Sequence, residues 1–489
     1  MVLSEQIQLG TFEFALDHLI DHELDLSALD ARFKNDDSGA SAYDPRVMLK
    51  IVLLAYSRGL ISSRRIEQAC AQNVLFMAIS GDSQPSFTHI AKFVRELGDE
   101  VMCLFGQVLL TCDRMGLVGK KMFAIDGVKL PGNASKERSG THAELMHRAV
   151  RLEKAAARII ALHQAQDEHG TPDLDAQRRR RIDELQREAQ TTRDFVATRE
   201  ATRQKRLNRK GQKLKTNVTD PDSAKMATSK GVIQGYAAQA AVDSQNQVIV
   251  AADVIGSGSE QAMLLPMIEQ ATLREAHTLI TADAGYHSDA NMRALHEQGI
   301  AAMVADNGMR QRDERIDNAH HKAKGDALHD KAAVKAVKWF SPKDFTFHSE
   351  HTATCPAGHT LTGNGRVYAQ RGHHFERYEA QAEDCDACPL RAQCLRNPKS
   401  TRGRQLARVE PRRRDATDPS ERMRQAIDTP QGRRLYSQRI ATVEPVFANI
   451  RHHKRMSRFT LRGQGKVSTE WHLYCLVHNI EKMAKHAGA

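Results

Sequence analysis

Aromatic residues are scarce in this chain, at 5 % of 489 positions with two tryptophans. Long apolar runs are also missing: none approaches the roughly 20 residues that cross a bilayer. The first twenty residues lack the basic start and apolar core of a secretion signal. Eight cysteines are too few for a disulfide-stapled secreted scaffold of this length. Four of them (Cys70, Cys103, Cys112 and Cys475) stand singly among apolar neighbours, as core residues do. These absences lead us to expect a cytoplasmic protein with reduced thiols and no membrane partner. Acid is in deficit too, with 60 Asp and Glu against 71 Lys and Arg, a net charge of +11. Such an excess favours a polyanionic partner, because basic side chains displace counterions condensed on phosphates.

What is present supports more than one domain, since 40 % of the residues are hydrophobic and the length exceeds what one core usually serves. Residues 1–118 read as helical. Tyr43-Asp44-Pro45 marks a helix start, 47–56 is strongly apolar, and further helical patterns at 61–79 and 86–112 flank Ser80-Gly81-Asp82. The array suits a helix-turn-helix-like DNA-binding domain; a helical bundle used for dimerisation gives the same pattern. Residues 119–136 and 217–305 read as an α/β core with a mixed sheet. It starts with Met122-Phe123-Ala124-Ile125, a strand that runs into Asp126-Gly127 as a turn. It resumes with a hairpin about Asp243-Ser244-Gln245-Asn246, a helix over 259–274, and a strand ending at Asp283. Between the two parts, 137–216 forms a helical hairpin. Leu145, Leu152 and Ile159 recur every seven residues, and Gly170-Thr171-Pro172 breaks the pattern. Its returning arm carries Arg178, Arg179, Arg180 and Arg181, then Arg203, Lys205, Arg206, Arg209 and Lys210. That arm is either a track for a phosphate backbone or a solvated helix face. Residues 306–425 are polar and irregular, and 426–489 return to helix.

Three acids stand out. Asp126 and Asp283 each end an apolar run, and each is followed by a nearby glycine that allows close backbone approach. Glu444 lies in a helical stretch where Tyr436, Ile440, Phe447 and Arg451 share its face. A basic tract follows it, with Arg451, His452, His453, Lys454, Arg455, Arg458 and Arg462. Three carboxylates suit phosphodiester chemistry, because hard Mg²⁺ (or Mn²⁺) takes oxygen ligands and keeps positions for water and phosphate. Two ions would share Asp126, with Asp283 and Glu444 each completing one. A second metal site is suggested by Cys355, Cys385, Cys388 and Cys394, four thiolates for tetrahedral Zn²⁺ with His359 as a substitute ligand. Four reduced thiols in a loop are the plainer reading.

These segments resemble the DDE transposases of bacterial insertion sequences, in the branch with a Tyr-Arg-Glu-Lys signature. The resemblance rests on Ala124-Ile125-Asp126-Gly127, Asp220-Pro221-Asp222-Ser223, Gly235-Tyr236, Val242-Asp243, Ala282-Asp283-Ala284-Gly285-Tyr286, Val443-Glu444-Pro445-Val446-Phe447 and Leu461-Arg462-Gly463, in that order. It implies an RNase H-like core, with the first acid on strand one, the second on strand four and the third on a later helix. It also implies divalent metal, a synaptic homodimer at the nucleoid, and double-stranded DNA (terminal inverted repeats and target) as substrate. Water frees a 3′-hydroxyl at the element's end, and that hydroxyl then attacks target DNA. By match to the signature, Tyr436, Arg439 and Arg451 contact phosphates, joined from the basic tract by Lys454 and Arg455. Trp339 is either a platform for a flipped base, as in related transposases, or a buried core aromatic. Two departures are visible. Arg451 replaces the signature lysine, and four residues rather than three separate Arg439 from Glu444, which places them about 140° apart on an ideal helix. Two other classes remain open: a catalytically silent DNA-binding regulator, and a metal-dependent nuclease that does not join strands.

Overall fold

The computed structural model describes residues 2–31, 42–165, 172–201, 215–228, 231–313, 339–348, 351–370, 373–397, 400–409 and 417–487. Arg203, Lys205, Arg206, Arg209 and Lys210, and the Gly170-Thr171 break, lie outside them. The chain divides into two compact units, one formed by 1–307 with 423–489 and the other by 308–422.

The first unit begins with helices α1 (Phe12–His18), α2 (Ser27–Asp30), α3 (Pro45–Ser57), α4 (Ser63–Gln72), α5 (Val74–Ser80), α6 (Phe87–Glu96) and α7 (Glu100–Arg114). The Asp44 carboxylate caps α3, accepting from Arg46 N at 2.7 Å with Pro45 in the first turn. Residues 48–56 of α3 are all buried. Even Lys50 is enclosed, its ammonium 2.6 Å from both Asp17 and Asp21. Gly81 closes α5 in the left-handed conformation at φ 57°.

A mixed sheet follows. Strand β1 (Met122–Pro131) is succeeded by the short β2 (Ser139–Gly140), β3 (Thr216–Asn217) and β4 (Ala224–Thr228), and then by β5 (Gly231–Asp243), β6 (Ile249–Ile255), β7 (Leu279–Ala282) and β8 (Ala302–Val304). β5 pairs antiparallel with β1, β6 and β4, while β1–β7 and β7–β8 pair in parallel. One face-to-face path therefore reads β6-β5-β1-β7-β8. A mixed sheet of this order, flanked by α10 (Leu264–Gln270) and α11 (Asp289–Glu297), is compatible with an RNase H-like core. The two-residue β2–β3 ladder gathers the base of a hairpin made of α8 (His142–Ala165) and α9 (Pro172–Ala201). Leu145, Ala149 and Ala156 on one arm and Leu185, Ala189 and Val196 on the other are buried. Arg193 clasps Glu153 with two bonds of 2.7 and 2.8 Å.

Two C-terminal helices complete this unit, α12 (Pro430–Ala448) and α13 (Gln464–Ala487). α13 is buried almost all round between the N-terminal helices and the sheet. Trp471 Nε1 donates to Gln239 O on β5 at 3.0 Å, Asn479 pairs with both the N–H and the carbonyl of Ile249 on β6, and Tyr474 stacks on Tyr56 of α3. One hydrophobic core accordingly runs from Leu16 to Met483. Residues 1–118 thus share their core with the α/β part instead of folding around one of their own, because the apolar faces of α3 and α7 close on α13.

The second unit holds a five-stranded antiparallel sheet. Its strands are β9 (Thr346–Phe347), β10 (Thr352–Thr354), β11 (Thr360–Gln370), β12 (His373–Ala380) and β13 (Gln405–Val409), paired in that spatial order. Phe345, Ala353, Leu361, Tyr378, Ala380 and Leu406 form its small core. This segment was expected to be irregular. Its outer face is so rich in charged and polar side chains that no apolar alternation marks the strands. Trp339 is 37 % exposed, so it is not a core aromatic.

Candidate active site

The register of β1 against β7 sets the site. Ile125 pairs in parallel with Ala282, so the next residue on each strand is an aspartate. Neighbouring strands lie about 4.8 Å apart, and Asp126 and Asp283 therefore leave the sheet side by side. β1 does not turn at Gly127 as expected. It continues antiparallel to β5 as far as Pro131. Gly127 has a different use: a Cβ there would stand 2.4 Å from Gln239 Nε2, so the missing side chain makes room for Gln239. Gln239 is fully buried, and its Oε1 accepts from the equally buried Tyr286 hydroxyl.

Asp126 is held at both oxygens. Oδ1 accepts from the Gly127 N–H at 2.8 Å, and Oδ2 accepts from Arg439 Nη1 at 2.6 Å. Burial pushes the Asp126 carboxyl above its usual range; Arg439 and the Gly127 amide pull it back, and Asp283 pushes it up again. Asp283 Oδ1 accepts from Gly285 N at 2.8 Å. A third acid that sequence reasoning missed, Glu260, joins these two. Burial raises its carboxyl, Lys129 on β1 opposes that, and Asp283 and Asp126 both raise it further. The Tyr286 phenol feels Glu260, Asp126 and Asp283 on top of its own burial. The Arg439 guanidinium also lies 5.7 Å from the centre of the Tyr436 ring, completing a patch of three acids, one arginine and two tyrosines.

α12 presents Arg439 to the sheet, and Glu444 is exposed on another side of the helix. The five-residue step explains this, since a helix that buries Arg439, Val443 and Val446 turns position 444 away from them. Pro445 lies inside α12, which runs on to Ala448 and then widens into a π-helical turn over Asn449–His453. Arg451 is exposed there. Lys454 was expected at DNA, but it is fully buried. Its ammonium bonds Asn449 and, at 2.7 Å, Glu481, so its charge is consumed inside the fold. Arg455 is exposed in a left-handed backbone position, with its stem against Gly59.

In the second unit Cys355, Cys385, Cys388 and Cys394 line one small cavity with His359, Arg391 and Arg404. Burial and the three other cysteines raise the Cys394 thiol, and Arg404 lowers it. Backbone N–H groups of His359 and Arg404 point at Cys355 Sγ and Cys385 Sγ, at 3.3 and 3.4 Å. Among the described residues, no three Cys, His, Asp or Glu side chains stand in ready-made ligating geometry, at either cluster.

Two family models match the chain. One described as "Transposase DDE domain" covers residues 354–484, and one described as "Transposase domain (DUF772)" covers residues 1–96. They indicate an insertion-sequence DDE transposase. No curated protein and no solved structure matches. The transposase matches leave residues 97–353 between them, so Asp126, Asp283 and Glu260 rest on the geometry of the sheet alone. Of the residues missed, Tyr286 and Gln239 stand within or beside segments that carried the resemblance. Glu260 follows the polar stretch Ser257-Gly258-Ser259, where no apolar run drew attention to it.

Proposed function

We propose that this transposase binds the terminal inverted repeats of its element as a synaptic homodimer, and cleaves and joins DNA there by a metal-dependent DDE mechanism. The observation that carries the reading is the pair Asp126 and Asp283, side by side where parallel strands β1 and β7 meet, with Asp283 opposing the ionisation of Asp126. Hard carboxylate oxygens beside a glycine cradle at residue 285 fit two Mg²⁺ or Mn²⁺ ions. Such ions would supply activation of the attacking oxygen and neutralisation of charge on the leaving one.

In this reading Asp126 and Asp283 bind metal. Glu444 is the acid offered by the signature helix, brought in as α12 engages DNA. Arg439 balances Asp126 without metal and turns to a phosphate oxygen with it, its guanidinium steadied over the Tyr436 ring. Arg451 and Arg455, both exposed, contact the backbone beyond. The four thiols facing one cavity, with backbone N–H groups directed at two of the sulfurs, suit a structural Zn²⁺ that would brace the second unit.

The test is incubation of the full chain with Mg²⁺ and a labelled duplex bearing the inverted repeat, beside Asp283→Ala. Cutting at the repeat's edge and joined product, both absent from the variant, support the proposal. Cutting without joining would make the protein a nuclease. Binding with no cutting in Mg²⁺ or Mn²⁺ would make it a silent regulator.

A further inference from the structure

Glu260 lies outside the signature, yet the fold builds a place for it. We propose that Glu260 is a metal-binding carboxylate of the same centre, reaching Asp283 across the bare Cα of Gly285. This rests on the metal-dependent reading above and adds a ligand that comes from neither β1, nor β7 and the loop after it, nor α12.

The placement is fixed from both sides. A Cβ on residue 285 would stand 2.9 Å from Asp283 Oδ1 and 3.2 Å from Glu260 Oε2, so the two carboxylates flank one point that only glycine leaves free. The backbone around Glu260 is stapled to the loop that follows Asp283. Gln261 Nε2 donates to His287 O at 2.9 Å, and the Asn291 amide donates to Gln261 O and Tyr286 O, each at 2.7 Å. Gln239 covers the inner side. It is fully buried, and its Nε2 meets no acceptor in bonding geometry among the described residues, though it is close enough to Glu260 to favour the ionised carboxylate. Lys129 supplies the other favourable charge. Three carboxylates drawn together in a partly buried place, with Arg439 already engaged on one of them, leave negative charge that a divalent cation would neutralise. Glu444 contributes nothing comparable from its exposed side of α12.

The test uses the full chain without DNA, titrated with Mn²⁺ while free Mn²⁺ is followed by electron paramagnetic resonance. Glu260→Gln and Asp126→Asn are each expected to weaken binding by about tenfold or more. Glu269→Gln, a control at an exposed carboxylate on α10, should bind like the unsubstituted chain. Loss in Asp126→Asn with none in Glu260→Gln would overturn the assignment while leaving the metal centre standing. No loss in either variant would overturn both. Thermal melting checks that each variant is folded. The unsubstituted protein gives an independent measurement: Fe²⁺ with ascorbate and peroxide cuts backbone beside the bound metal. Scission near residue 260, together with cuts near 126 and 283, is expected. Cuts near 126 and 283 with none near 260 would overturn the proposal.

Discussion

At Asp126 two demands meet in one side chain. In the proposed metal centre the carboxylate binds in its ionised form, and burial opposes ionisation; Arg439 at 2.6 Å offsets the cost. Removing one partner of a buried pair strands the other, typically at about 3–5 kcal/mol. Arg439 and Asp126 retain a little exposure, so the lower end applies. Arg439→Gln should therefore lower stability by about 3 kcal/mol, and a urea melt of the variant beside the unsubstituted chain would read it. Gly127 makes a second test of the same neighbourhood. A methyl group there would displace Gln239 and with it the Tyr286 hydrogen bond. Gly127→Ala is expected to cost about 1–3 kcal/mol, the usual penalty of overpacking; an unchanged denaturation midpoint would mean that Gln239 simply swings aside. The two aspartates were legible in the sequence because each ends a run of apolar residues on a buried strand. Glu260 was not, because its partners are set by the register of strands far apart in the chain, and nothing local records that.

Elements carry the next lesson. The helical spacing puts Tyr436, Glu444 and Arg451 on one face of α12, and the five-residue step from Arg439 to Glu444 keeps those two from looking the same way. Packing decides between them: Val443, Val446 and Phe447 bury the side that includes Arg439. Asp-Gly is a turn signal that predicts an end to β1 at Gly127, yet the strand continues to Pro131 and pairs nine consecutive residues with β5. A glycine beside a buried glutamine looks, in sequence, like a glycine in a turn. The small sheet of the second unit was illegible for another reason: its core holds few apolar residues, and four thiols gather beside it. If those thiols hold zinc, elemental analysis should find one zinc per chain, lowered in Cys388→Ser. Chelation should then speed proteolysis within 351–409 and leave the first unit resistant. A zinc-free protein with an equally resistant second unit would return the cysteines to plain thiols.

For the first unit as a whole, α13 is the common wall. The helical start and the α/β region were legible separately, but their shared core was not, since the helix that joins them lies at the far end of the sequence. Trp471 is fully buried and bonded to β5, so Trp471→Ala should cost about 3–5 kcal/mol, read by denaturation. A fragment of residues 1–118 alone should give no sharp melting transition. The same helix sets an acid response. His478 is fully buried against Lys454, Lys482 and Lys485, and burial first, then those lysines, depress its imidazole to about 3. A base depressed in the folded state contributes stability above its unfolded value of 6.5, and that contribution is lost as pH falls toward 3. The melting temperature should drop across that window, and less steeply in His478→Gln; equal slopes would assign the acid response to other groups.

The place of α13 also bears on how the chain is made. α3 and α7 leave the ribosome hundreds of residues before the helix that covers them, so their apolar faces must wait, shielded by chaperones or by transient contacts. A chain released early would carry Asp126 and Asp283 and still lack the wall against which β5 and β6 settle. On the proposed reading, incomplete products of translation would lack a formed cutting centre, and DNA would meet one only after synthesis has passed α13.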